Sequence, residues 1–134
     1  MKTIVNNDYK YSAITGKIIG CAMEVHKTLG PGFQEKIYQR ALAIEMDLQG
    51  LSFIREYENV VLYKNEFVGK RRSDFLVESE ISVEIKALKA TDDGDLCQAI
   101  NYLEVYNLEV GLLINFGAKS LEYRRLINAK YKKK

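Results

Sequence analysis

A chain of 134 residues, 47% apolar and 28% charged, is long enough for one hydrophobic core and too short for two, so a single domain over 1–134 is expected. A net charge of +2 selects no class of partner, the lone proline Pro31 argues against long disordered linkers, and no apolar run approaches the roughly 20 residues of a membrane helix. The polar stretch Met1 to Lys10 lacks the apolar centre of a signal peptide, so a cytoplasmic location is expected.

Ile14, Ile18, Cys21, Ala22, Val25 and Leu29 recur at helical spacing and predict a first amphipathic helix, stopped by Gly30-Pro31-Gly32. A second helix is expected from about Gln34 to Gln49, with Ile37, Ala41, Ile44 and Leu48 facing the core and Gly50 closing it. Strand-like runs follow at Phe53 to Tyr63 and Phe67 to Glu78, joined by a hairpin turn at Lys64-Asn65-Glu66. A third runs from Ile81 to Ala87. The polar loop Thr91 to Asp95 starts a third helix, Asp95 to Tyr106, which buries Leu96, Ala99, Ile100 and Leu103. Val110 to Phe116 is almost wholly apolar, as in a strand covered on both faces. Leu121 to Ile127 reads as a last strand, with a short helix as the alternative. Three meandering strands and a helical crossover to a fourth make a mixed sheet flanked by helices, an α/β fold.

Cys21 and Cys97 lie far apart, with no C-x-x-C spacing, which argues against a zinc ribbon or an iron–sulfur cluster; both read as small, buried, reduced residues. From Lys119 to Lys134 seven basic residues stand against the single acid Glu122, so a basic end sits on a mildly acidic body. About 128–134 reads as a solubilising tail. Arg124 and Arg125, on an ordered element, are better placed to hold a phosphate backbone.

The chemistry centres on Asp74 and Glu84-Ile85-Lys86. Side chains alternate along a strand, so Ile81, Val83 and Ile85 point to the core while Ser82, Glu84 and Lys86 point the other way. Asp74 can meet them from the neighbouring strand. Two carboxylates and a lysine at one spot suit a divalent-metal site for cleaving phosphodiesters. Magnesium takes hard oxygen ligands and keeps several waters, which two carboxylates and a backbone carbonyl such as that of Ile85 satisfy. The competing reading of Glu84 and Lys86 is a surface ion pair on an edge strand, worth about 0–1 kcal/mol. Asp74 could instead pair with Arg71 or Arg72, which could equally bind substrate phosphate. Tyr38 and Tyr102 read as packing residues with a polar tip, and His26 as a helix-end residue.

Further motifs stand in order around this pair. Gly32-Phe33-Gln34-Glu35-Lys36-Ile37-Tyr38 reads G-x-x-E-x-x-Y, and Gln98-Ala99-Ile100-Asn101-Tyr102 follows the D…E-x-K element. Together they resemble the GxxExxY family of small bacterial proteins, a branch of the PD-(D/E)XK nuclease superfamily, from about Ile14 to about Ile127. The resemblance implies a restriction-endonuclease-like αβββαβ core with an extra N-terminal helix, and cleavage dependent on magnesium or manganese. It implies Asp74 and Glu84 as principal metal ligands, Glu35 as a further metal-site acid, and Lys86 as the catalytic lysine. Gln98 and Tyr102 match the Q-x-x-x-Y element of RecB-like nucleases, supporting the site and contacting substrate. Relatives often carry a histidine three residues before that glutamine, where this chain has Asp95.

The leading expectation is therefore a nuclease acting on DNA in preference to RNA. The alternatives are a catalytically silent nucleic-acid-binding or regulatory module of the same fold, and an interaction protein that forms a homodimer through a sheet edge or helix pair.

Overall fold

The computed structural model describes residues 11–133, so the polar Met1–Lys10 segment and Lys134 lie outside the described residues. Within them the chain forms α1 (Ser12–Leu29), α2 (Glu35–Leu48), β1 (Phe53–Tyr63), β2 (Glu66–Val77), β3 (Ile81–Lys86), α3 (Asp93–Tyr106), β4 (Val110–Asn115) and β5 (Glu122–Ile127). The five strands make one mixed sheet in the order β1-β2-β3-β4-β5. β3 and β4, joined through α3, are parallel, and every other neighbouring pair is antiparallel. This is the expected α/β architecture, and the uncertain last element is a strand.

Strand periodicity decides the core. Ile81, Val83 and Ile85 sit in register with Val110, Leu112 and Ile114, and this face packs on Ile18, Ala22, Val25, Leu42 and Met46 of the first two helices. The opposite face places Leu113 and Leu126 against Ala99 and Leu103 of α3. With a helix on each side, all six residues of β4 are buried, which accounts for its unbroken apolar run. Asp92 caps α3: its side chain accepts from the Asp95 N–H at 2.9 Å, and the Asp95 carboxylate accepts from the Asp92 N–H at 2.9 Å.

Two expectations about packing are corrected. α2 buries Tyr38, Gln39, Leu42, Ala43 and Met46, whereas Ile37, Ile44 and Leu48, expected in the core, are 39%, 61% and 72% exposed. Both stripes have helical spacing, and a tertiary contact chooses between them. The Tyr38 ring stacks on Phe116 at 4.8 Å between centroids, and its hydroxyl donates to the Gly30 carbonyl at 2.5 Å. Cys97, also expected to be buried, is exposed, while Cys21 is buried. α3 turns Ala99, Tyr102 and Leu103 inward and leaves Cys97 outside.

The ends of the central strands are braced by side chains. Asn115, fully buried, donates to the Leu88 carbonyl (2.8 Å) and to Glu122 (2.9 Å), and its oxygen accepts from the Leu88 and Gly117 N–H groups. His26 Nε2 lies 3.0 Å from the Ala118 carbonyl and ties α1 to the same corner. Gly117 lies so close to the chain after β3 that a Cβ there would come within 2.4 Å of the Leu88 nitrogen. Gly117→Ala must shift backbone and is expected to cost about 3 kcal/mol, read as a lower urea midpoint at unchanged slope. The basic tail is also anchored: Asn107 donates to the Lys132 carbonyl at 2.8 Å and accepts from its N–H at 2.9 Å. Among the described residues no helix is long and apolar enough to cross a membrane.

Candidate functional site

β2 pairs with β3 only from Phe75 to Val77, while its pairing with β1 continues from Val77 out to Glu66. The first two strands therefore run beyond the sheet as a two-stranded arm, and a fork opens between β2 and β3. Asp74 stands at the fork. Its Oδ2 accepts from the Ile85 N–H at 2.7 Å, replacing the ladder bond lost where the strands part. Its Oδ1 accepts from Gln39 Nε2 at 3.0 Å, and Gln39 Oε1 accepts from Arg55 at 2.9 Å. Asp74 thus bonds to neither Arg71 nor Arg72 but to a buried amide and a strand N–H. Burial raises its pKa, and these hydrogen bonds and Lys86 oppose the rise.

β3 lies between β2 and β4, but Glu84 and Lys86 fall past its pairing with β2 and border the open fork, paired with β4 alone. Lys86 Nζ lies 3.9 Å from Asp95 Oδ1, at the start of α3. Glu84 is pushed up to about 7, first by burial and then by the Asp74 carboxylate, against the Ser73 hydroxyl and the cations Arg71 and Lys86. Its Oε2 is buried with no hydrogen-bond partner. A native fold rarely leaves such an atom unsatisfied without a functional reason.

Glu35 opens α2 and is exposed as a residue. Partial desolvation of its carboxyl nonetheless raises its pKa, opposed by Lys86 and reinforced by Asp74 and Asp95. These four groups are therefore within electrostatic reach of one another. Among the described residues, however, no three His, Cys, Asp or Glu side chains form a group able to hold a metal, so Glu35, Asp74 and Glu84 do not gather as three ligands. Two neighbouring carboxylates, Asp74 and Glu84, suit a hard cation, which takes oxygen ligands and keeps several waters.

The other sequence-derived site residues spread more widely. Gln98 is exposed, and its backbone carbonyl accepts from Arg71 Nη2 at 2.7 Å. Tyr102 is fully buried and donates to the Tyr57 carbonyl at 3.1 Å, so its hydroxyl is committed inside the protein and not to a substrate. Arg71 also lies 5.8 Å over the Tyr102 ring, which fixes it between α3 and the fork. Arg72 is exposed on the arm, in register with Glu58 of β1. Arg124 and Arg125 point to opposite faces of β5: Arg124, opposite Leu113, is exposed, while Arg125, opposite Leu112, donates to the buried Thr15 of α1. The two cannot grip one backbone together. Glu84, Leu113 and Arg124 lie in one row across the sheet, which leaves Arg124 about 10 Å from Glu84.

Gln39 escaped the sequence reading. Its position four residues after Glu35, on the same helical face, was the available signal. Gln39→Ala leaves a buried Asp74 oxygen and Arg55 without their partner and is expected to cost about 1–3 kcal/mol, measured by urea unfolding.

A family model described as the PD-(D/E)XK nuclease superfamily matches residues 12–126 of the chain. The crystal structure of SSO0001 is similar in fold, with a TM-score of 0.55 at 17% sequence identity, covering 70% of this chain and 50% of that one. The chain thus spans about half the length of that solved relative. No curated protein matches the chain.

Proposed function

The chain belongs to the PD-(D/E)XK nuclease superfamily, and from that premise we propose that it is a divalent-metal-dependent nuclease hydrolysing phosphodiester bonds in DNA rather than RNA. The observation that carries this reading is the buried, unpartnered Oε2 of Glu84, beside Asp74 and on the same strand as Lys86. Arg71 and Lys86 offset the burial of this carboxyl only in part, and a bound cation would supply the remaining charge.

In this reading Asp74, Glu84 and the Ile85 carbonyl hold magnesium or manganese, and Glu35 acts from the rim. When bound, the cation polarises the scissile phosphate and lowers the pKa of a neighbouring water. Asp74 is kept in place by Gln39 and the Ile85 N–H. Lys86 orients the attacking water and offsets charge that develops on the phosphate oxygens. Arg71 and Gln98 brace the wall toward α3, and Arg72 and Arg124 supply phosphate contacts on either side of the fork. The G-x-x-E-x-x-Y block supports the GxxExxY branch of the superfamily, and two free cysteines suit a reducing, cytoplasmic setting.

The test is cleavage. Purified protein is incubated with supercoiled DNA, linear DNA and RNA, in magnesium, manganese or chelator. Nicking or degradation of DNA that requires the cation is the expected result; no cleavage in any combination rejects the enzyme. One observation favours a second reading, a silent binding module: among the described residues the acids fall short of a three-ligand group. That reading predicts salt-sensitive DNA binding without turnover.

A further inference from the structure

The helix that begins with Glu35 carries two apolar stripes, and the fold uses only one. Tyr38, Leu42 and Met46 are fully buried. Ile37, Ala41, Ile44 and Leu48 form the second stripe: Ala41 is half-buried, and Ile37, Ile44 and Leu48 are 39%, 61% and 72% exposed. Their spacing of four, three and four residues is that of a coiled-coil seam. Isolated exposed apolar residues need no explanation, but a continuous seam along one helix marks an interaction surface. Beside it a shallow groove of about 160 Å³ between α1 and α2, lined by Val25, Leu29, Ala41 and Ile44, offers a hole for an incoming side chain.

The charges flanking the seam identify the occupant. Arg40 and Asp47, both exposed, lie on the same flank, seven residues apart. In an antiparallel pair of identical helices like flanks meet. Arg40 then faces the partner's Asp47, and two-fold symmetry repeats the pair. A parallel pair would set Arg40 against the partner's Glu45 but leave Asp47 facing beyond the end of the helix, and it would align rather than oppose the helix dipoles. We propose that the outer face of α2 is a self-association surface, on which two copies of this chain pair their α2 helices antiparallel. The inference rests on the fold and not on cleavage. Glu35 opens α2, so the pairing sets the two candidate sites toward opposite ends of the paired helices, about 20 Å apart along the axis.

Sedimentation equilibrium of the full chain over a concentration series tests this without any activity. Wild type is expected to pass from the mass of one chain to that of two. Ile44→Lys is expected to stay at one chain throughout, with an unchanged far-UV circular dichroism spectrum because Ile44 lies outside the core, and with a thermal melt that no longer rises with protein concentration. Arg40→Asp and Asp47→Arg each set like charges together and are expected to weaken association about tenfold, and combining them should restore it. A wild type that remains a single chain at every concentration overturns the proposal, as does an Ile44→Lys protein that associates like wild type. Failure of the double variant to recover overturns the antiparallel arrangement.

Discussion

Lys86→Ala is expected to lower the single-turnover rate of DNA cleavage by about a thousandfold while leaving the fold intact. The side chain is only partly buried and its partner is the Asp95 carboxylate at 3.9 Å. Its removal therefore costs little stability, unlike that of a buried, well-bonded ion. In the transition state the ammonium faces negative charge that the ground state has not yet concentrated, so the loss falls on rate more than on substrate affinity. Asp74→Asn is expected to match it in rate. An amide there keeps the volume but surrenders the charge that, in the proposed role of Asp74, would hold the cation. Asp95→Asn is the informative contrast. It frees Lys86 from its ion pair and leaves the ammonium in place, so a change of less than about tenfold is expected. If Lys86→Ala cleaves within about tenfold of wild type at saturating metal, the lysine lies outside the chemistry, and the assignment of the site falls with it.

The second large effect is on stability, and its sign is the reverse of the usual carboxylate. Glu84 has an ordinary value of 4.5 in the unfolded chain and about 7 in the fold, because burial disfavours its charged form. Between those values the folded state binds more protons than the unfolded one. The favourable contribution is full below the unfolded value and disappears as pH rises through the folded value, so metal-free protein loses stability across that window. A shift of this size corresponds to about 3 kcal/mol, an upper figure because water reaches part of the side chain. Asp74 and Glu35 are also raised, in both cases first by desolvation, and act in the same direction. Urea midpoints in chelator are expected to fall between about pH 5.5 and about pH 8.5 for wild type, and to fall less for Glu84→Gln. Magnesium or manganese at the higher pH should restore the wild-type midpoint and leave that of Glu84→Gln nearly unchanged, because binding to the folded state alone stabilises it. A flat profile identical in both proteins would falsify the buried state of this carboxylate.

Much of the architecture was legible before any coordinates, because it depends on local chemistry. The arm's turn falls at Lys64-Asn65, where both residues adopt positive φ (49° and 67°), the geometry of a tight hairpin. The alternation Ile81, Val83, Ile85 set the core face of the third strand, and the apolar run from Val110 marked the strand between two helices. The motif order placed Asp74, Glu84 and Lys86 on adjoining strands. Register then decided that Asp74 stands where β2 and β3 part, with Glu84 and Lys86 beyond the last β2–β3 pair.

Other features had no local signature. Nothing in the periodicity of α2 distinguished Tyr38, Leu42 and Met46 from Ile37, Ile44 and Leu48; the stacking of Tyr38 on Phe116, far along the chain, made the choice. Arg125 looked like a phosphate contact until Thr15 claimed it from the far face of the sheet. The Arg55–Gln39–Asp74 chain joins three elements. For this protein, then, the sequence by itself determined the order of elements and which strands carry Asp74, Glu84 and Lys86, since backbone preference and side-chain alternation act between near neighbours. Tertiary structure alone decided which apolar stripe is inside, how deeply Glu84 is withdrawn from water and what holds Asp74 still, because burial and charge depend on groups brought together from distant parts of the chain.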